Sequence, residues 1–304
     1  MASRGHPVAN VYTLALLAYA AFAVTDVCLK ASAGRLPIFE SAFIVNVFAA
    51  AVLLLTRHSN ERWRDFFRTG DHALAVHSRA VCGVVSSVGA IYAFTTIPFA
   101  QVYAIVFLAP FFVAIMSVLF LKERIPLFRW FGVSASFAGV LLVIKPGFQP
   151  LGIGHLAAAV VGLATGGAVI IMRGMNDKVR KTSILGMLLV YLIVLNAVAM
   201  IVRGVVAPTG RELLLLGLAG VSYGLGQWAF VAAARAGTAS QIVPMHYSQL
   251  LWGVGFGMLF FNEHLDGPGM LGIGVIIASG LFTILRAAPF AASGKVYGSR
   301  GSTP

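Results

Sequence analysis

Charge is what this chain has least of: only 11% of its 304 residues are Asp, Glu, Lys or Arg, while 59% are hydrophobic and the mean hydropathy is +0.89. So few charges cannot cover a water-facing surface of this size, which excludes an ordinary soluble domain. Acids are scarcer still, 10 against 22 Lys and Arg. Two cysteines, Cys28 and Cys82, exclude a disulfide framework, and they fall at opposite depths, where free buried thiols are expected. No nucleotide-binding loop is present, so ATP-driven chemistry has no support. Clustered carboxylates and histidines are missing from the apolar part, which argues against a membrane-embedded enzyme and against a metal site or cofactor.

What is present is apolar length. A helix needs about 20 mostly apolar residues to cross a hydrocarbon core of about 30 Å. Ten stretches qualify: 10–29, 37–56, 79–97, 99–121, 129–145, 152–172, 183–203, 212–234, 240–261 and 269–287. They are continuous and rich in Ala, Leu and Gly, unlike the short alternating strands of a membrane barrel, so the expected class is an all-α membrane protein with the bilayer as solvent. The first stretch contains Ala18-Tyr19-Ala20, which resembles a cleavage site. Cleavage would break the repeat described below, so it is read as an uncleaved anchor.

Positive loop residues stay cytoplasmic. With the N-terminus inside, 17 of the 22 cations, including Arg57, Arg62, Arg64, Arg68, Arg79, Lys122, Arg124 and Arg129, fall at cytoplasmic ends, leaving Lys30, Arg35, Lys145, Arg203 and Arg211 outside. Both termini are therefore expected in the cytoplasm. Spread over separate loops, these cations serve topology and give no nucleic-acid footprint. The segment 57–79, where Trp63, Phe66 and Phe67 interleave with arginines, reads equally as an interfacial helix or a solvated linker.

The chain looks written twice. Leu119-Phe120-Leu121-Lys122-Glu123-Arg124-Ile125 recurs as Leu259-Phe260-Phe261-Asn262-Glu263-His264-Leu265, and residues 100–144 align with 240–284 without a gap, pairing Gln101 with Gln241, Glu123 with Glu263 and Gly132 with Gly272. Eight of the 45 positions are identical. Five stretches per half is an odd number, so the second half enters the membrane from the opposite side. The expected architecture is ten transmembrane helices in two inverted-topology five-helix repeats, 1–147 and 148–304, a frequent construction in secondary transporters.

With its two five-span halves, the Leu119 to Arg124 hairpin, Trp130-Phe131-Gly132 and the run from Gly139 to Gly147, the chain resembles the drug/metabolite transporter superfamily of the EamA type, from the first span to about residue 286. In overall look it is most similar to bacterial amino-acid exporters, including those for aromatic amino acids. The resemblance implies a bacterial inner-membrane transporter exporting a small molecule by alternating access, with its oligomeric state open and a monomer acceptable. The chain departs from the family pattern at two places: the second-half equivalent of Pro110 is Leu250, with Pro244 earlier, and Asn46 stands where members commonly carry Arg.

Candidate site residues follow from polarity at membrane depth. Pro110 and Pro244 leave the carbonyls of Val106 and Ser240 without their helical donor, and such broken backbone is tolerated where it faces protein or a wet cavity. Span 9 carries Gln241, His246, Tyr247, Ser248 and Gln249, with Trp252 adjacent; His246, Gln249 and Gly253 share a face too polar for lipid. Tyr223, Gln227 and Trp228 in span 8, Gln101 and Tyr103 in span 4, and Tyr92 in span 3 complete a candidate substrate-binding set. Aromatic rings and neutral amides suit a zwitterion or a neutral solute with an apolar side chain. Each also has a plain reading as packing or interhelical hydrogen bonding. Asp26, in the outer third of span 1, reads as a carrier of a coupling proton or, equally, as a partner of Lys30 one turn on; His246 is the alternative proton carrier.

Overall fold

In the computed structural model, residues 9–56, 72–122, 125–147, 150–174, 181–236 and 239–292 are described, so the interfacial segment 57–71, Glu123, Arg124 and the tail beyond Ala292 lie outside the described residues. The described residues form eleven helices: α1 (Ala9–Ala31), α2 (Ile38–Leu55), α3 (Ala73–Thr96), α4 (Phe99–Val106), α5 (Ala109–Leu121), α6 (Leu127–Ile144), α7 (Ile153–Gly174), α8 (Lys181–Arg203), α9 (Gly210–Ala236), α10 (Ala239–Phe261) and α11 (Gly267–Ala292). Seven stretches are long and apolar enough to cross a bilayer, α4 and α5 counting as the single stretch Phe99–Leu121. Large apolar side chains cover the outside, with Leu55, Leu74 and Leu127 more than four-fifths exposed. Exposed apolar surface on this scale requires lipid rather than water, and the protein is a multi-pass membrane protein.

The helices run alternately up and down, as contacts at one end show. Lys30, ending α1, meets the carbonyl of Ile97 at the end of α3 (3.1 Å) and Glu263 at the end of α10. Glu40, starting α2, accepts the Val206 N–H beyond α8 (3.1 Å), and Arg35 reaches Glu212 at the start of α9 (2.6 Å). Lys145, closing α6, pairs with Asp266 before α11. The Glu212 hydrogen bond holds the exposed Arg35 guanidinium above its ordinary pKa. This end is called the Ala31 end.

The apolar core lies toward it, where Phe99, Val102 and Ala104 of α4 meet Val140 of α6, Ala158 of α7, Leu250 of α10 and Ile276 of α11, each at most 1% exposed. Helices approach closely where side chains vanish. A Cβ on Gly272 would stand 2.5 Å from the Gly139 carbonyl oxygen and one on Gly139 2.7 Å from that of Gly272, so α6 and α11 touch backbone to backbone. Three Gly-x-x-x-Gly pairs among the described residues pack inside the chain: Gly162 and Gly166 against the α4–α5 junction and Phe112, Gly220 and Gly224 against α2, Gly253 and Gly257 against Tyr103, Phe99 and Glu263.

Several contacts recur at an offset of 140. Gly132 faces Ser279 and Thr283, and Gly272 faces Gly139 and Val143, the same positions with the halves exchanged. Ser136 bonds Ser279 (2.5 Å) while Gly139 abuts Ile276, again exchanged partners. Lys122 (φ 54°) and Asn262 (φ 53°) both end their helices in the left-handed region. The helix pairs α1·α9 and α3·α7 correspond in the same sense, as do α2·α9 with α3·α8.

The first proline acts differently from expectation. Instead of kinking one helix, Pro110 sits in the first turn of a new one, where a missing N–H is harmless. The chain turns at Phe107 and Leu108, with Leu108 N–H bonding Ile105 (2.9 Å) in a tightened turn. Pro244, by contrast, lies within the single helix α10.

Candidate functional site

The α4–α5 junction brings aromatic residues against α10 and α1. Phe107 lies 4.8 Å from the His246 ring and 5.2 Å from Tyr247, and His246 stacks on Tyr19 of α1 at 4.9 Å. Four rings from both halves of the chain thus form one row, stacked at its two ends and tilted between Phe107 and His246. Tyr19 also meets Phe22 and Phe230, and Phe22 meets Tyr223 of α9 (5.8 Å), so the row turns onto a second aromatic wall. Sheer apolar content cannot place rings so; the break at Phe107 frees that ring from helical stacking against its own turn and lets it enter between α1 and α10.

One turn along α1 from Phe22 stands Asp26, whose Oδ2 accepts the Tyr103 hydroxyl at 2.5 Å. The Gln249 amide faces both groups. Tyr103 is 3% exposed and fixed by Phe94 (5.2 Å, edge-on), Phe99 (6.2 Å) and the bare Cα of Gly253, whose position leaves no room for a Cβ against the ring. A carboxylate held by neutral donors alone is costly at membrane depth, and such an arrangement marks a functional candidate.

The pairing of Asp26 with Lys30 is not formed. Lys30 turns instead to Glu263, with its ammonium over the rings of Phe99 (4.8 Å) and Phe261 (5.3 Å). Helical adjacency on α1 loses because Glu263 offers a charged partner, while Asp26 has neutral ones. Glu263 Oε2 in turn accepts the Phe99 N–H (2.8 Å), one of the donors that the start of α4 leaves without an intrahelical acceptor. Pro98 precedes Phe99 and brings no side-chain cap, so Glu263 caps α4 from the other half of the chain.

The candidate residues divide. Asp26, Tyr103, Gln249, His246, Tyr247, Tyr223 and Gln227 belong to one contiguous group, with Gln227 beside the Tyr223 hydroxyl. Gln101 pairs with His155 of α7 (3.0 Å) near the Ala31 end. Tyr92 is half-buried on α3, and Pro110 is exposed on the outer side of its turn. Trp228 (46% exposed) and Trp252 (42%) face outward; Trp252 lines a shallow apolar groove of about 450 Å³ with Leu16, Leu251, Phe256 and Leu259. Asn46 is buried and bonds back to the Ala42 carbonyl (2.7 Å). The Gln241 side chain lies outside the described residues. Tyr19 and Phe107 escape sequence reading, although Tyr19 shares a face with Asp26 and Phe107 directly precedes the proline turn. Among the described residues no three His, Cys, Asp or Glu converge as metal ligands.

Comparison with known proteins decides the family: the model of the EamA-like transporter family matches residues 10–145 and again 152–285. The chain belongs to the EamA-like transporter family. It is similar to a riboflavin transporter of Rhizobium johnstonii, 30% identical over 61% of this chain, a match spanning 62% of that relative and so less than two thirds of it. A pseudopaline exporter of Pseudomonas aeruginosa is 29% identical over 90% of this chain and 95% of its own length, and an S-adenosylmethionine uptake transporter of Rickettsia felis 27% over 88% and 90%. A solved crystal structure superposes with a TM-score of 0.61 at 17% identity, covering 91% of this chain and 98% of that one, which speaks to the fold alone. This EamA-family member is a membrane transporter for a small molecule, not an enzyme.

Proposed function

We propose that this chain is a secondary transporter that exports small metabolites, foremost amino acids with aromatic or neutral side chains, by alternating access between two inverted five-helix repeats, 1–147 and 148–304. The exchange of contact partners at an offset of 140 supports the inverted repeat, and the double match to one family model supports the duplication. Ten spans follow when α4 and α5 count as one. The cation distribution supports cytoplasmic termini in a bacterial inner membrane; the Ala31 end is then external, closed by the Lys30–Glu263 pair.

The observation that carries the reading is the polar and aromatic group drawn from both halves: Asp26 and Tyr103 from the first, Gln249, His246 and Tyr223 from the second. A site between two moving halves can change which side it faces. Asp26 would take an ammonium group or a coupling proton, and the row of rings would take an apolar side chain.

A second reading within the same fold is a carrier of larger planar metabolites. The Tyr19–His246–Phe107–Tyr247 row suits a flat heteroaromatic ring, and relatives are named for riboflavin and S-adenosylmethionine. Flux in proteoliposomes loaded with an amino-acid panel, riboflavin or S-adenosylmethionine separates the two. Counterflow of aromatic amino acids supports export of that class; no amino-acid flux by folded protein removes it.

A further inference from the structure

Most rings of the aromatic group are fitted to a glycine on another helix. Tyr247 sets its hydroxyl against the bare Cα of Gly280 on α11, Tyr103 lies against Gly253 on α10, and neither glycine has room for a Cβ. A Cβ on Gly226 of α9 would stand 2.6 Å from the Phe22 ring. Phe107 is set by the turn between α4 and α5 and is 5% exposed; Tyr19 is 7% exposed and braced by Phe22 (6.2 Å) and Phe230 (6.1 Å), both edge-on. His246 differs from all of these. Its imidazole lies between Tyr19 (4.9 Å, 22° between planes) and Phe107 (4.8 Å, 34°), yet it is only half-buried. Among the described residues no hydrogen bond holds either of its ring nitrogens. A polar group left without such a bond at membrane depth is poorly anchored, so ring contacts alone keep it there.

Two well-covered walls and a less-covered occupant make a slot filled from within. We propose that the slot between Tyr19 and Phe107 binds a planar ring of the transported solute, and that His246 is an internal plug that leaves when this ring enters. The proposal rests on the transporter reading above and deepens it: Tyr19 and Phe107 contact the solute, and His246 competes with it. Both slot distances fall in the range of about 4.5–7 Å usual for aromatic pairs, so a benzenoid or heteroaromatic ring meets the same two faces. A rotamer change of the His246 side chain clears the slot. The solute then binds more weakly than its contacts alone provide, by the fraction of protein in which the slot is open. Both walls belong to the first half of the chain and the plug to the second, so its exit also loosens one contact between the halves.

The sign of one substitution separates a plug from a binding residue. The full chain is placed in phosphatidylcholine nanodiscs, and its thermal shift is titrated with tryptophan, riboflavin, indole and the non-planar amino acid cyclohexylalanine. His246→Ala should bind the planar probes about 5- to 100-fold more tightly than wild type, the worth of two aromatic pairs, while cyclohexylalanine gains far less. Tyr19→Leu and Phe107→Leu should each weaken the planar probes about 2- to 10-fold. Equal or weaker binding of the planar probes by His246→Ala overturns the proposal, as does the absence of any binding. An equal gain for cyclohexylalanine overturns it too, because the variant then offers an unspecific apolar cavity. A measurement on wild type does not depend on how the variant folds: in histidine-labelled protein, the His246 ring resonance, assigned by its loss in His246→Asn, should move when a planar probe saturates. A resonance that stays in place with the probe bound overturns the plug. Tighter ring binding without flux of any ring-bearing solute would sink the transporter reading and leave the slot intact.

Discussion

Glu263 does two tasks at once, and replacing it by Gln should separate them. One oxygen carries the Lys30 ammonium; the other accepts the Phe99 N–H at 2.8 Å. A Gln can still accept from one of these donors but loses the charge that serves both. Removing one partner of a fully buried ion pair costs about 3–5 kcal/mol, and a fully exposed pair is worth about 0.2–1 kcal/mol. With side chains 17% and 16% exposed, this pair lies between, near 2 kcal/mol. That corresponds to a fall of about 4–8 °C in apparent Tm at roughly 2–4 °C per kcal/mol. Lys30→Met alone should cost a similar amount, since it strands Glu263, and the double variant should cost less than the sum, with a coupling of about 1.5–2 kcal/mol.

The same cycle can be read in conformation. If the pair holds the Ala31 end shut, losing about 2 kcal/mol favours the opposite state by roughly 30-fold. Cys28, 5% exposed near that end, is a native reporter once Cys82 is replaced by Ala. Its maleimide labelling rate should rise at least about tenfold in the single variants. A coupling below about 0.5 kcal/mol together with an unchanged labelling rate would refute both the energetic and the gating argument.

Asp26→Asn keeps an acceptor for the Tyr103 hydroxyl, so the fold should hold or gain about 1–3 kcal/mol while transport drops at least about tenfold, read by flux and Tm on one preparation. Comparing flux with and without a pH gradient in Asp26→Asn and His246→Ala tests coupling: unchanged pH dependence in both removes them as proton carriers. Gly253→Ala should cost about 1–3 kcal/mol and displace the Tyr103 ring, whereas Gly255→Ala, with no atom within 4 Å of the new Cβ, should be nearly neutral in melting temperature. Gly139→Ala and Gly272→Ala each push the same α6–α11 contact apart, so each should cost about 1–3 kcal/mol and the pair should fall clearly short of additive. Lys122→Gly should stabilise by up to about 1 kcal/mol, because its left-handed backbone disfavours a side chain.

The all-helical membrane class and the EamA family were legible because they rest on run length and on the hairpin motifs, which survive any packing. The paired heptapeptides even announced their geometry: Lys122 and Asn262 adopt the same left-handed turn. The site was legible only in part. Helical spacing puts His246 and Gln249 on one face and depth marks Asp26, but which partner each side chain chooses depends on helices distant in sequence: Glu263 reaches back 233 residues to Lys30. Spacing alone also does not tell that Trp228 and Trp252 are exposed while the neighbouring polar side chains are partly buried. A tryptophan and a glutamine one residue apart on a helix point about 100° away from each other, so one can line a path while the other meets lipid. The third helix begins before its hydropathy run, because hydropathy starts a span after a charge whereas Ala73 to Ser78 already form helix.

The distribution of partners separates scaffold from site more sharply than burial does. At the Ala31 end Lys30, Arg35 and Lys145 each meet an acid, and the Arg203 guanidinium sits over the Phe39 ring at 5.7 Å. Charges so matched fix helix ends and have little left to offer a solute. Among the described residues Asp26 is held by a phenol and an amide, both neutral, and these orient the carboxylate without cancelling its charge. A neutral solute would gain little from such a group, while a cationic one, or a proton, gains the full interaction in a setting where water competes weakly. Exchanging Gln249 for Lys would convert the neutral cradle into an ion pair of the scaffold type. It should therefore hold or raise stability while abolishing transport of any solute that uses Asp26; a Gln249→Lys protein that is stable and still transports would show that the acid serves the fold alone.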